Sequence, residues 1–255
     1  MKRRREMEKQ SSSELRSAIE ELSLLAVMKL NHHHHHHHHH HHNHDPVAAD
    51  DDKQNDTDDP DHIPIKPFLS LCNFLVHLLD KIGPTMAVLR QDIHRNILRL
   101  EKMQESNPTL YSNVVEILKK EASEGTSRKV TSSSKAFLWL TRSLDFAVNI
   151  LELIEKDVEV NMEHAVEEAY EATLKPWHGW ISSTAYRVPF NYIQLYVALK
   201  LVPDNKTLID ILKSEVEDRE AFKDDIKTFT SLLLPLLDEI HSILETYELD
   251  RLKAT

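Results

Sequence analysis

Apolar residues in this chain recur mostly every three or four positions, the spacing of one face of an α-helix. Over Ser11–Leu30, for example, Leu15, Leu22 and Leu25 share a face, and the opening serines are suitable N-caps. The pattern predicts an all-α fold of about eight helices. After the first helix, the further predicted helical segments are Phe68–Ile82, Pro84–Gln104, Thr109–Ala122, Ser132–Lys156, Met162–Leu174, the pair Trp177–Tyr186 and Pro189–Leu201 that Pro189 interrupts, Lys206–Val216 and Asp218–Glu248.

Composition narrows the class of protein. Three glycines in 255 residues argue against β-hairpins and glycine-rich nucleotide-binding turns, which need glycine at tight or positive-φ positions. The single cysteine, Cys72, excludes an internal disulfide and a thiolate metal cluster. No apolar run approaches the ~18–20 residues that cross a bilayer, and the start at Met1 lacks an apolar secretory segment. We therefore expect a cytosolic protein.

Residues 31–62 form a low-complexity segment. His32–His42 is an unbroken run of eleven histidines, and Asp45–Asp61 carries eight Asp and one Lys, or −7 of the net charge of −11. We interpret the segment as a natural disordered insertion, with an expression tag as the alternative. Such histidines bind Ni²⁺ or Zn²⁺ in vitro, but we assign no metal site to them. The predicted organisation is a basic tail at 1–10, the first helix of the fold at 11–30, the insertion at 31–62 and the main domain at 63–255.

A polar stripe lies on the predicted helix over Pro84–Gln104. Asp92, Asn96 and Arg99 fall at i, i+4 and i+7, so they share one face beside a stripe of apolar residues. An acceptor, a mixed amide and a cationic donor next to an apolar surface are suited to a polyhydroxylated headgroup. The alternative is a solvated face with pairing within the helix.

Two tryptophan-containing segments are the other candidate sites. Trp139 lies in an apolar stretch of the long helix, with Arg142 about one turn further on. His178 is flanked by Trp177 and Trp180, and the glycine after it permits close approach of a ligand. In each segment the alternative is that the aromatic residue or histidine belongs to the core.

Enzymatic and nucleic-acid functions find little support. The sequence has no recognisable local signature of a Ser/His/Asp or Cys/His arrangement, and its isolated histidines lack the ligand spacing of a metalloprotease. No basic stripe with stacking aromatics is present, so we expect no nucleic-acid partner. We predict that the protein is not an enzyme and needs no cofactor.

Three motifs, in order along the chain, resemble the glycolipid transfer protein family. Leu89–Leu100 is similar to the family's headgroup segment, Asp-x3-Asn-x2-Lys, with Arg99 at the last position. Phe137–Leu144 is similar to its Trp-Leu-Lys-Arg-Gly-Leu segment, with Thr for Lys and Ser for Gly. Glu168–Trp180 is similar to the segment that ends in Tyr-His-Gly-Trp. The resemblance begins near Ile63 and runs almost to the C-terminus.

The resemblance implies a two-layer sandwich of helices that encloses a single lipid-binding hydrophobic pocket. Asp92, Asn96 and Arg99 would hydrogen-bond the sugar headgroup of a glycosphingolipid, and Asp92 would also accept from the ceramide amide N–H. Trp139 would stack on the sugar ring, and His178 would donate to the ceramide carbonyl. These roles suit the side chains, because sugar hydroxyls need donors and acceptors and an apolar sugar face suits an indole.

Four more residues are implied to contact the lipid or the membrane. Arg142 and Tyr170 are candidates for additional headgroup contacts, and Trp180 and Trp177 are candidates for the membrane interface, where indoles commonly lie. The implied partners are a glycosphingolipid and, transiently, a membrane surface.

The resemblance leaves three functions to compare. The leading one is transfer of a glycosphingolipid between membranes. A ceramide-1-phosphate transfer protein is the second, but that branch carries Lys at the position of Asn96 and Arg at the position of Leu138, so we favour a neutral sugar headgroup. The third is a lipid sensor or adaptor that uses the same pocket, in which the insertion or the basic tail would serve a protein partner.

Overall fold

The computed structural model describes residues 15–27, 62–82, 87–157, 159–177 and 219–253. Regular structure in these residues is helical, apart from a single bridge between Pro64 and Asn113. The predicted basic tail at 1–10, nearly all of the insertion at 31–62 and nearly all of the three helices predicted over residues 177–216 lie outside the described residues. The helices are α1 (15–27), α2 (Ile65–Ile82), α3 (Ala87–Ser106), a 3₁₀ turn (Leu110–Ser112), α4 (Val114–Ser123), α5 (Ser133–Lys156), α6 (Met162–Thr173) and α7 (Arg219–Thr246).

Two helices begin at places other than the sequence pattern predicts. Helix α2 starts at Ile65 and not after Pro67, because a proline is tolerated in the first turn, where its missing N–H has no helical partner. Helix α4 starts after Asn113, whose backbone is extended and whose side chain accepts hydrogen bonds from the backbone N–H groups of Val115 at 3.1 Å and Ile63 at 3.0 Å. This N-cap separates α4 from the preceding 3₁₀ turn.

Glu121 fixes the start of the central helix from outside it. Its side chain is buried, and its two carboxylate oxygens accept from the backbone N–H groups of Ser133 and Ser134, both at 2.8 Å. The Ser134 hydroxyl donates to the same carboxylate at 2.6 Å. A carboxylate at a helix N-terminus satisfies otherwise unpaired N–H groups and complements the helix dipole. The end of α4 thereby sets the position of α5.

Helix α5 is central among the described helices and packs against α2, α3, α4, α6 and α7. Every described α-helix contributes buried apolar side chains to one core. The Phe68 and Phe137 rings lie 4.8 Å apart where α2 meets α5, and the Phe74 and Phe229 rings lie 5.8 Å apart where α2 meets α7. The predicted all-α fold of two helix layers around an apolar pocket is confirmed.

The C-terminal segment turns back onto this core. Helix α7 continues through Pro235 and ends at Thr246. Glu248 then adopts a left-handed conformation with φ of 54°, and the Leu249 N–H donates to the Leu244 carbonyl at 2.8 Å. This is the hydrogen bond of a Schellman C-cap. It reverses the chain and buries Leu249 completely.

Candidate functional site

An apolar cavity of about 80 Å³ lies among α2, α3, α5, α6 and α7. Of the described residues that line it, only Ser143 is polar. One water needs about 10–15 Å³ of such a cavity volume, so the cavity has room for roughly six waters. An apolar space of this kind suits hydrocarbon and offers water too few hydrogen-bonding partners. Representative lining residues are Leu75, Ile93, Leu144, Ile150, Val166 and Phe229.

The α3 stripe predicted from the sequence lies at the edge of this core. Ile93 and Ile97 on the inner face are 2% and 1% exposed, whereas Asp92, Asn96 and Arg99 beside them are half-buried. The Asp92 carboxylate forms an ion pair with Arg95 of the same helix. Pairing within the helix, which was the alternative interpretation of the stripe, is therefore present here for Asp92.

The stripe is aligned with the first half of α5. Arg99 points its guanidinium at the backbone carbonyls of Val130 and Ser132, at 3.3 and 3.5 Å, just before α5 begins. Ile93, earlier in α3, lines the cavity together with Ser143 of α5. Helices α3 and α5 therefore run antiparallel where they meet. The polar stripe of α3 and the first turns of α5 lie at the same level, next to the cavity.

Trp139 lies on this part of α5 and is half-buried. The Arg142 guanidinium carbon lies 5.0 Å from the centre of the Trp139 ring and 4.1 Å from that of Trp177. These are cation–π distances. Arg142 thus brings together the headgroup candidate Trp139 and the membrane-interface candidate Trp177.

Arg142 itself is 2% exposed and bonded to the C-terminal segment. Its two terminal nitrogens donate to the backbone carbonyls of Leu252 and Asp250, both at 2.8 Å. The sequence predicted that Arg142 contacts the lipid headgroup. In the structure its described hydrogen bonds go to these two backbone carbonyls of the protein.

Lys135 is a further candidate, which the sequence pattern did not single out. Its side chain is buried, and its pKa is lowered by burial and then by the neighbouring cations Arg142 and Arg99. Lys135, Trp139 and Arg142 fall at i, i+4 and i+7, so they form a stripe on α5 like that on α3. The same spacing that singled out the α3 stripe identifies this stripe.

The remaining predicted residues are divided between described and undescribed segments. Tyr170 of α6 is half-buried and packs against the core. Trp177 is half-buried, and its backbone N–H donates to the Leu174 carbonyl at 3.1 Å. His178 and Trp180 lie outside the described residues. The structure thus brings together the two stripes and Trp177. His178, the predicted hydrogen-bond donor to the ceramide carbonyl, has no described position.

Other reactive groups in the described part of the chain lie apart from this site or are buried. Burial raises the pKa of the Cys72 thiol well above its usual range, which suits an inert core residue. In the described ranges no group of three or more His, Cys, Asp or Glu side chains is arranged to hold a metal ion. None of the described helices is long and apolar enough to cross a membrane.

Comparison with known proteins identifies the family. The family model for glycolipid transfer protein (GLTP) matches residues 63–214. The chain belongs to the glycolipid transfer protein family. It is 49% identical to Glycolipid transfer protein 3 of Arabidopsis thaliana over the full length of both chains, and 30% identical to Glycolipid transfer protein 1 of the same plant, covering 77% of this chain and 91% of that one. The predicted family and lipid-transfer function are confirmed.

Solved structures of the glycolipid transfer protein fold agree with the architecture. A structure described as "How FAPP2 Selects Simple Glycosphingolipids Using the GLTP-fold" matches with a TM-score of 0.65 at 23% identity, covering 76% of this chain and 90% of that one. A single-residue mutant of Arabidopsis ACD11 (accelerated-cell-death 11), complexed with C12 ceramide-1-phosphate, matches with a TM-score of 0.68 at 17% identity, covering 92% of this chain and 96% of that one. At these identities the likeness concerns the fold.

Proposed function

We propose that this family member binds a glycosphingolipid, shields its hydrocarbon chains among the helices and moves it between membranes. The observation that carries the proposal is an apolar cavity whose lining helices α3 and α5 bear two polar stripes at one level. One amphiphilic ligand can use both surfaces, with its chains in the cavity and its headgroup at the stripes.

An apolar interior keeps the chains of the extracted lipid out of water. Burial of each methylene contributes about 0.8 kcal/mol, so two long chains in an apolar interior offset the loss of their membrane contacts. A space of about 80 Å³ holds only a few methylenes, so the helices around it must separate when lipid enters. The absence of polar lining residues other than Ser143 in the described part of the cavity suits this role.

The headgroup roles follow the stripes. Asp92, Asn96 and Arg99 would bind sugar hydroxyls, with Asp92 exchanging its partner Arg95 for the sugar and the ceramide N–H. Trp139 would stack on the sugar ring. A carboxylate, an amide and a guanidinium together supply both acceptors and donors, which hydroxyls require. His178 is proposed as the donor to the ceramide carbonyl, and Tyr170 as an additional headgroup contact.

A neutral sugar is the favoured headgroup. Asn96 has no charge, and Leu138 is 1% exposed within the core, so neither adds a cation to the site. The relatives named glycolipid transfer proteins, at 49% and 45% identity over the whole chain, support the same choice.

Ceramide-1-phosphate is the second candidate ligand. The observation in its favour is the grouping of Lys135 and Arg142, both buried, with Arg99. Buried cations bind phosphate well when their donors are directed at it. Two of the three donate to backbone carbonyls, which is why we place this ligand second.

The protein's wider role follows from transfer. We propose that it makes and breaks no covalent bond, acts in the cytosol, and contacts membranes transiently through Trp177 and Trp180. A glycosphingolipid would be drawn from one membrane surface and released at another.

The test is transfer between vesicles by the wild-type protein and two matched variants. Asp92→Val removes the proposed sugar and amide acceptor. Asp80→Val is the control, because Asp80 is also a helical aspartate paired with an arginine, 45% exposed against 36% for Asp92. Hydrogen bonds to a charged acceptor contribute about 1.5–3 kcal/mol each, or roughly tenfold to more than a hundredfold in affinity.

We expect wild-type protein to transfer glucosylceramide faster than ceramide-1-phosphate. Asp92→Val should remain helical and lose most transfer, while Asp80→Val should keep it. Faster transfer of ceramide-1-phosphate would favour the second candidate. Near wild-type transfer by Asp92→Val would remove that residue from the site and leave the stripe as a solvated face.

A further inference from the structure

One buried side chain of α5 hydrogen-bonds the C-terminal segment, residues 247–253. Arg142 donates from two nitrogens to the carbonyls of Asp250 and Leu252, both at 2.8 Å. A guanidinium is a planar fork of donors, so paired acceptors of this kind fix its orientation as well as its position. The carbonyls of Asp250 and Leu252 can both accept from this fork only while the segment keeps the turn that directs them toward Arg142.

The segment is shaped to offer those carbonyls. Glu248 in the left-handed region reverses the chain, Leu249 is completely buried, and the Leu252 N–H donates to the Leu249 carbonyl at 3.1 Å. The buried leucine holds the segment against the core, and the local turn directs two carbonyls inward. Arg142 therefore meets acceptors that the Schellman cap of α7 has already positioned.

The same guanidinium lies between two indoles. Its carbon is 4.1 Å from the centre of the Trp177 ring and 5.0 Å from that of the Trp139 ring. Indole–guanidinium contacts at these distances are attractive, and more so when buried. A side chain that hydrogen-bonds the C-terminal segment and contacts both rings holds all three in a fixed relation.

We propose that Arg142 is a positioning residue that fastens the C-terminal segment over the headgroup end of the site and thereby orients Trp139 for the sugar. Its role differs from that of a headgroup contact. It acts through Trp139 and the segment, so its loss should weaken binding of differently substituted headgroups alike. The transfer readout rests on the proposed function, whereas the attachment of the segment does not.

Hydrogen–deuterium exchange of lipid-free protein tests the attachment directly. The reporters are the amide of Leu249, which bonds to the Leu244 carbonyl at the end of α7, and the amide of Leu252, which bonds to the Leu249 carbonyl. Arg142→Lys keeps the charge but loses the fork. Arg251→Ala is the control, because the Arg251 side chain is 86% exposed in the same segment. We expect exchange at least about tenfold faster in Arg142→Lys, equivalent to about 1.4 kcal/mol, and unchanged exchange in Arg251→Ala.

A double-mutant cycle on glucosylceramide transfer separates positioning from direct contact. The variants are Arg142→Lys, deletion of residues 250–255, and both together. If Arg142 acts through the segment, each change lowers the transfer rate and the double variant is no slower than the deletion alone. If Arg142 binds the headgroup, the two losses multiply. Circular dichroism and thermal unfolding show whether each variant keeps its fold. If Arg142→Lys does not, Arg142→Gln replaces it.

Three results would overturn the proposal. Unchanged exchange at Leu249 and Leu252 in a folded Arg142 variant would show that the segment stays in place without the fork. Multiplying losses in the cycle, or a loss confined to one headgroup in parallel assays with ceramide-1-phosphate, would assign Arg142 to the ligand. If wild-type protein transfers no glucosylceramide, the proposed function fails, and the exchange experiment still decides the attachment.

Discussion

Filling the apolar cavity should stabilise the lipid-free protein and impair it as a carrier. Ala147 of α5 lines the cavity, and Ala147→Leu adds three carbon atoms directed into it. Cavities cost about 24 cal/mol per Å³, so removal of one of about 80 Å³ would stabilise the fold by at most about 2 kcal/mol. The new side chain occupies the space of about three lipid methylenes, worth about 2.4 kcal/mol or roughly fiftyfold in affinity.

Two measurements on the same variants check this prediction. Urea denaturation gives the free energy of unfolding, and transfer of labelled glucosylceramide between vesicles gives the activity. Ala122→Leu, at an exposed position of α4, makes the same chemical change away from the cavity and should alter neither. A folded Ala147→Leu that transfers at the wild-type rate would refute the assignment of the cavity to the lipid chains. A loss of stability of 1–3 kcal/mol would instead indicate overpacking and would contradict the predicted gain.

The remaining predictions concern stability. Glu121→Gln should cost about 2 kcal/mol in urea unfolding, because the start of α5 loses a charged acceptor, and a change below 0.5 kcal/mol would contradict this role. Gly125 has φ of 62° with open space around it, so Gly125→Ala should cost about 1 kcal/mol through backbone strain alone. The pKa of His241 is raised, first by its 3.0 Å hydrogen bond to Asp145; its stabilisation is therefore complete below the ordinary pKa of about 6.5 and is lost as pH rises through the higher folded pKa. Thermal unfolding against pH should show this loss in wild type and not in His241→Asn. Deletion of residues 32–61, joined by a short flexible linker, should leave melting temperature and transfer unchanged if the segment is a disordered insertion.

The helices could be predicted because each needs an apolar face, and that face repeats in the sequence. Helices α5 and α6 begin and end within one residue of the predicted bounds, Ser132–Lys156 and Met162–Leu174. The starts of α2 and α4 differ because they depend on exceptions to the pattern. Helix α2 includes a proline in its first turn, and the asparagine that caps α4 also accepts from a distant N–H. Contacts with neighbouring parts of the chain, and not periodicity, set both starts.

The candidate site was predictable where it follows helical spacing. Asp92, Asn96 and Arg99 share one face, as their positions require, and they lie beside the cavity. Lys135 was missed because lysine is usually exposed, so a lysine at the start of a helix suggests solvent. The hydrogen bonds from Arg142 to the C-terminal segment have no sequence signature. Backbone carbonyls are present at every residue, and only the folded turn brings two of them together.

Native mass spectrometry after lipid loading shows whether this chain carries a glycosphingolipid within its helices. Full-length protein would be incubated with vesicles that contain equal amounts of glucosylceramide, ceramide-1-phosphate, ceramide and phosphatidylcholine, reisolated, and its bound lipid identified by mass. We expect a single glucosylceramide per chain, lost in Asp92→Val and retained in Asp80→Val. Preferential retention of ceramide-1-phosphate or phosphatidylcholine, or recovery of protein without lipid, would contradict it.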